Sequence, residues 1–290
     1  MKPPAFDYVR ASTIEEALSA LQTFGGDARL LAGGQSLMPL LNMRLLRPAG
    51  IIDMNRIPGL DFIRLADGEV RIGALTRYAT IEGSAVVDDN LPLVAEAVRR
   101  VGDRQVRNRG TLGGSLCHAE PAAQMPLCAV TLGARMLVAG PNGRRVIPAE
   151  QFFHFPYTTD LDPLEMLLEI VYPDCRGRLS ALEQHIRRHG DFAVVSVAVS
   201  GVPDNADGWR DIRIGLGGLQ DHPVLAPVLS EFLKGKALEP EVIAEAAALV
   251  LETIEPQSDV RASAEYRQVL APIYVERALT KLQHAREAVL

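Results

Sequence analysis

Two glycine pairs constrain this chain more than any other feature. The first lies in Ala32-Gly33-Gly34-Gln35-Ser36-Leu37, directly after the apolar run 29–32. The second lies in Thr111-Leu112-Gly113-Gly114-Ser115-Leu116, directly after the basic stretch 104–109. Glycine has no Cβ, so successive backbone N–H groups can approach a phosphate closely and form an anion-binding nest. Ser36, Thr111 and Ser115 add hydroxyl donors. One Gly-Gly after a strand is ordinarily only a turn. Two of them, each with small hydroxyl residues and each in its own α/β unit, can hold the two phosphates of a dinucleotide from opposite sides. Neither is a GxGxxG fingerprint opening a βαβ unit, and neither is a GxxxxGK[ST] loop, which disfavours a Rossmann NAD site and a P-loop.

The surrounding pattern predicts three units. The opening reads as strand, helix, strand. Ser12 and Glu15 have capping-box spacing, Ile14, Leu18 and Leu21 share a helical face, and Gly25-Gly26 ends that helix. Residues 50–53 close this first unit as a strand. In the second unit, 70–74 reads as a strand, 91–101 as an amphipathic helix and 107–115 as a basic, Gly-rich turn region. A helix at 124–133 and a strand at 135–139 follow. Pro141-Asn142-Gly143 marks a hairpin, because Asn-Gly supplies positive φ. A strand at 164–172 is stopped by Pro173. The third unit has β-like runs at 192–199 and 212–219, then helices at 240–254 and from 262 onward. Pro272 is expected to kink or split the last helix.

Composition narrows the function. A chain of 290 residues with net charge −6 is a poor counterion displacer, which disfavours nucleic acid as a partner. No apolar run is long enough to span a bilayer, and the start Met1-Lys2-Pro3-Pro4 has no signal-peptide core, so no secretory signal is expected, while the scattered cysteines fit a reducing cytoplasm. Cys117, Cys128 and Cys175 have no CxxC spacing and supply no iron–sulfur cluster or metal site of their own.

Five segments resemble the medium, FAD-binding subunits of the xanthine dehydrogenase and carbon monoxide dehydrogenase (molybdenum hydroxylase) family. Leu31-Ala32-Gly33-Gly34-Gln35-Ser36-Leu37-Met38-Pro39 resembles its first flavin loop, and Arg107-Asn108-Arg109-Gly110-Thr111-Leu112-Gly113-Gly114-Ser115 its second. Arg188-His189-Gly190-Asp191-Phe192-Ala193 is similar to the segment opening its C-terminal domain. Ile51-Ile52-Asp53-Met54-Asn55 and Ile72-Gly73-Ala74-Leu75-Thr76 match as well. The resemblance covers the whole chain in order. It implies a fold that is α/β plus α+β: two small α/β units forming a PCMH-type FAD-binding domain, then a three-stranded sheet with a helical bundle. The expected divisions are 1–54, 55–177 and 178–290.

The resemblance also implies the site. Ala32, Gly33, Gly34, Gln35 and Ser36 would wrap the FAD pyrophosphate, and Thr111, Leu112, Gly113, Gly114 and Ser115 would hold it from the second unit. Val101 would lie against the cofactor. Gln124 stands where an acidic flavin contact is usual, and Glu120, before Pro121, shapes the turn. Leu167 and Phe192 match flavin-contacting positions, although a strand-core role fits Phe192 equally. His118, beside Cys117, orders the loop near the flavin. No residue is given acid/base or metal-binding work. Molybdopterin would reside on a large partner subunit and two [2Fe–2S] clusters on a small one, within a heterohexamer. This chain would pass electrons through FAD to an external acceptor. Two other readings stay open: a self-sufficient MurB-like flavin oxidoreductase, and an assembly subunit that has lost its flavin.

Overall fold

The protein is described from a computed structural model, which covers residues 2–204 and 207–288. The first unit comprises β1 (Asp7–Arg10), α1 (Ile14–Thr23), β2 (Ala28–Leu31), α2 (Leu37–Asn42) and β3 (Gly50–Asp53). Its three strands form a parallel sheet in the order β1-β3-β2. The cap of α1 sits one residue beyond the expected box. Thr13 Oγ1 accepts from the Glu16 amide, and the Ser12 amide donates to the Glu16 carboxylate at 2.7 Å. Gly26 and Gly25 then donate back to Leu21 and Gln22 and close the helix as a Schellman turn.

The second unit contains β4 (Ile63–Ala66), β5 (Glu69–Gly73), α3 (Tyr78–Glu82), α4 (Ala85–Asn90), α5 (Pro92–Val98), α6 (Arg104–Arg109), α7 (Leu112–His118) and α8 (Gln124–Leu132). It continues through β6 (Arg135–Gly140), β7 (Gly143–Pro148), α9 (Ala149–Phe152), β8 (Phe153–Phe155), β9 (Thr158–Thr159) and β10 (Met166–Pro173). Its main sheet is antiparallel where its pairings run, in the order β4-β5-β10-β6-β7. The last strand of the unit is thus its centre, which explains why its apolar run does not alternate. The expected hairpin is present, with Pro141-Asn142 between β6 and β7 and positive φ at Gly143. The stretch 107–115 is not a turn region. It is the end of α6, a two-residue break at Gly110-Thr111, and the start of α7.

The third unit has β11 (Leu179–His185), β12 (Val195–Pro203), β13 (Trp209–Gly217) and β14 (Val224–Leu225), then α10 (Pro227–Leu233), α11 (Pro240–Leu249) and α12 (Ala264–Glu287). Two-residue β14 adds a fourth strand to the expected three, in the order β11-β12-β13-β14. Pro272 does not split α12, which runs 24 residues through it. The missing amide costs one hydrogen bond, while packing of Leu270, Ala271, Tyr274 and Val275 against the sheet holds the helix together.

The three units share their cores. The first unit's core includes Leu75, Ala139, Met166 and Leu168 from the second, and the second unit's core includes Leu182 and Ala198 from the third. All nine residues of α8 are buried. An α-helix apolar on every side needs cover on every side, and α8 receives it from α5 and β10 on one flank and β12 and β13 on the other.

Candidate functional site

The two glycine segments meet. A Cβ on Gly33 would overlap the Arg109 carbonyl oxygen and crowd Gly110 Cα, so only glycine lets the first loop seat on the chain leading into the second. Gly34 has φ +72°, which turns the chain toward α2. Ala32 lies beside Gly114 from the other side. The Gln35 side chain folds back onto the Gly33 carbonyl at 3.2 Å.

The junction is held by residues that the sequence reading did not assign. Asn55 donates from Nδ2 to the Ala32 carbonyl at 3.0 Å and to the Leu31 carbonyl at 3.3 Å. Arg77 donates to the Asn55 side-chain oxygen and to the Arg109 carbonyl, tying the first loop to the second segment. Burial would raise the Asp53 carboxyl, but hydrogen bonds from the Tyr8 hydroxyl and from Asn55 outweigh it and hold Asp53 below its usual range. For Arg77, burial and then the neighbouring Arg109 guanidinium lower the pKa. The Asp61 and Asp53 carboxylates act the other way on Arg77. Asn55 belongs to a segment used for the resemblance, and Arg77 directly follows another. Only the fold reveals that they converge.

The two segments offer different donors. Among the described residues, the amides of Gly33, Gly34, Gln35 and Ser36 donate no hydrogen bond within the chain, and the Ser36 hydroxyl makes no cap bond. In the second segment Leu112 donates to Thr76, Gly113 to Ala74, Gly114 to Thr111 Oγ1 at 3.0 Å and Ser115 to the Thr111 carbonyl. The Leu112 and Gly113 amides are thus taken by the chain just after β5, and those of Gly114 and Ser115 by Thr111 within the first turn of α7, so this segment does not form a second open nest in the chain alone. Among the described residues the Thr111 amide alone of the five has no partner. Gly113 serves close packing on Ala74, and Leu112 is fully buried. Gly114, Ser115, Cys117 and His118 lie on the face of α7 that retains solvent contact.

The other expected contacts fall into two groups. Val101 is half-buried at the edge of the second core, and the Gln124 amide donates to the carbonyl of the preceding Arg100 at 3.3 Å. Arg107 binds the carbonyls of Val101 and Gly102, and Gly190 lies against Gly102. Phe192 follows on this same loop and is 42% exposed, so it is not a strand-core residue; β12 starts at Val195. Leu167 differs. It is 3% exposed in the second core, opposite Val138 in the sheet, and its side chain has no open face.

At the far end of α7, Glu120 is 3% exposed and accepts from Tyr157 Oη at 2.7 Å and Arg261 Nη1 at 2.9 Å. It also accepts weakly from the Ala122 amide at 3.4 Å, its expected turn-shaping contact. Partial burial and then the hydrogen bond to Glu120 push the Tyr157 hydroxyl up to about 12. The His118 ring lies 5.0 Å from the Tyr157 ring, and burial pulls its pKa down, so it is neutral near pH 7.

An open amide nest, a glycine-built seam, neighbouring arginines and a solvent-contacting face of α7 that leads to the His118 and Tyr157 rings together suit an elongated, phosphate-bearing aromatic cofactor. Known proteins bear on this directly. Residues 4–175 match the family described as the FAD binding domain in molybdopterin dehydrogenase, and residues 180–282 match the CO dehydrogenase flavoprotein C-terminal domain. The glyceraldehyde dehydrogenase medium chain of Sulfolobus acidocaldarius is 37% identical over 97% of this chain and 100% of its own length. The structure of carbon monoxide dehydrogenase from Hydrogenophaga pseudoflava includes a chain 38% identical, with a TM-score of 0.93 over 97% of this chain and 98% of that one. Quinoline 2-oxidoreductase from Pseudomonas putida 86 gives 34% identity and a TM-score of 0.93 over 98% and 99%. The fold and site thus define an FAD-binding subunit of a multi-subunit oxidoreductase. The chain belongs to the family of medium subunits found in carbon monoxide and xanthine dehydrogenases, the molybdenum hydroxylases. Among the described residues no helix is long and apolar enough to cross a membrane.

Proposed function

We propose that this subunit carries electrons from [2Fe–2S] clusters on a small partner to an external acceptor, using FAD held along α7. The large partner, with its molybdopterin, performs the substrate chemistry. The observation that carries the reading is the seam at Gly33, where an open amide nest is fastened to the second glycine segment by Asn55 and Arg77. In this reading Ala32, Gly33, Gly34, Gln35 and Ser36 bind the pyrophosphate. Thr111 adds its amide, while Leu112, Gly113 and Gly114 shape the wall on which Ser115 presents its hydroxyl. Val101, Gln124 and Phe192 border the ring end, and Leu167 supports it from beneath. Bound FAD supplies reversible electron transfer; the protein supplies orientation and local charge.

The units are taken as 1–54, 55–177 and 178–290, and the three unpaired thiols suit a reducing cytoplasm. The test is acid release of flavin from the purified chain after incubation with FAD. About one FAD per chain is expected of a single cofactor site. A colourless protein under these conditions would overturn the reading for the isolated chain and leave either partner-dependent flavin binding or a flavin-free assembly role. Substrate turnover by the chain alone would instead favour a self-sufficient reductase.

A further inference from the structure

The loop before α12 reaches across to the end of α7. Arg261 lies on this loop, 141 residues from Glu120 in sequence. Its guanidinium carbon sits 5.3 Å from the centroid of the Phe192 ring, and its Nη1 is 2.9 Å from Glu120 Oε1. The Glu120 side chain is 3% exposed, whereas that of Arg261 is 28% exposed. The ion pair therefore has a direction: its negative end is buried behind α7, and its positive end lies over an exposed ring. Asp259 reinforces the arrangement by pairing with Arg267 at 2.6 Å and approaching Arg261 at 3.5 Å. Arg267 in turn donates to the Val194 carbonyl at 3.1 Å, two residues beyond Phe192. The ring is thus held from above by Arg261 and from its own backbone by Arg267.

The seven residues of α7 span about 10 Å, and they separate this cluster from the glycine seam. A cofactor anchored by its phosphates at the seam and lying along the exposed face of α7 would bring its ring to this end. We propose that Arg261 is a positioning residue that orients Phe192 and presents a fixed positive charge to the flavin ring, with Glu120 setting the strength of that charge. The inference rests on the reading that FAD lies along α7. Reduction places negative charge on the ring system, and a fixed, partly buried cation beside it favours that charge. Glu120, behind the cation, attenuates the effect.

Opposite charge changes make the test specific. The full chain is loaded with FAD, and bound flavin is counted. Its two-electron midpoint potential is then read by equilibration with a reference dye. In Arg261→Gln the buried Glu120 charge is left unbalanced, so reduction becomes harder. A tenfold loss of preference for the reduced form is expected, a fall of about 30 mV for a two-electron couple. Glu120→Gln leaves the Arg261 charge unopposed, and its amide oxygen still accepts from Arg261. The potential is expected to rise. Arg261→Lys keeps the charge and should restore most of the wild-type value.

A loss of packing alone would shift both neutral variants in the same direction. Potentials that are unchanged, or that move together while FAD remains bound, overturn the proposal. If Arg261→Gln does not fold, the sign of the Glu120→Gln shift decides. Wild-type protein that takes up no FAD overturns instead the reading on which the inference rests.

Discussion

At the residue scale, the site depends on atoms that are absent. Gly33 has no side chain because the Arg109 carbonyl occupies the space that one would need. The obstacle is backbone and not the far end of a flexible side chain, so it cannot swing aside. Gly33→Val is therefore expected to part the two segments and abolish FAD retention while leaving the helix and sheet signal in circular dichroism near wild type. FAD bound at wild-type stoichiometry in this variant would show that the seam is not part of the site. Other residue-scale features act by added contacts. Asn55 and Arg77 hold loop carbonyls, and Glu120 holds Tyr157 and Arg261. These contacts join residues far apart in the chain, and no local pattern marks them. Gln124, read as a departure from an acidic residue, is nearly buried at the start of α8, and its amide meets the Arg100 carbonyl. A carboxylate could not donate there.

At the element scale, the short strands and helices are held by side chains reaching between them. Arg145 on β7 binds Asp160 at 2.7 Å and Glu165 at 2.8 Å, which fastens the loop between β9 and β10 to the sheet. The Arg145 hydrogen bonds lead in holding both carboxyls below their usual range. Their pKa values in the folded state are thus lower than in the unfolded state. The stabilisation is complete above the ordinary carboxylate range, at about pH 4, and disappears as the pH falls through the lower folded values. Arg145→Met is expected to unfold at lower urea than wild type at neutral pH. That gap should close on acidification below about pH 4, as both carboxylates protonate. A gap that stays constant across this range would show that the cluster contributes only packing. The effect should be modest, because Asp160 and Arg145 both retain solvent contact.

At the scale of the whole molecule, the three larger sheets do not stand on three separate cores. Residues of the second unit complete the first core, residues of the third complete the second, and α8 lies between two sheets. Lys281 on α12 adds a polar tie, binding Glu96 of α5 at 2.6 Å and Glu183 of β11 at 3.2 Å. Shared cores favour cooperative unfolding. The single tryptophan, Trp209, is fully buried in the third core and reports on that unit alone. Its fluorescence transition in urea is expected to coincide with the far-ultraviolet circular dichroism transition of the full chain. Two separated transitions would mean that the third unit melts independently.

Local information sufficed for much of this protein. Strand runs such as 50–53, the helix at 124–132 and the hairpin at Pro141-Asn142-Gly143 follow from apolar patterning and turn chemistry, which act over a few residues. The two glycine segments singled out a candidate phosphate-binding site, and the matched segments pointed to FAD. Tertiary structure decided the rest. It turned 107–115 into two helices, because the amides from 112 to 115 find partners on Thr76, Ala74 and Thr111. It placed the last strand of the second unit at the centre of its sheet, buried Leu167 and left Phe192 exposed. It also carried α12 past Pro272, where packing outweighs one lost hydrogen bond. The ties that build the site, from Asn55 to Ala32, Arg77 to Arg109 and Arg261 to Glu120, exist only once distant segments are packed together. Their physical cause is proximity in space, which patterning along a single sequence does not encode.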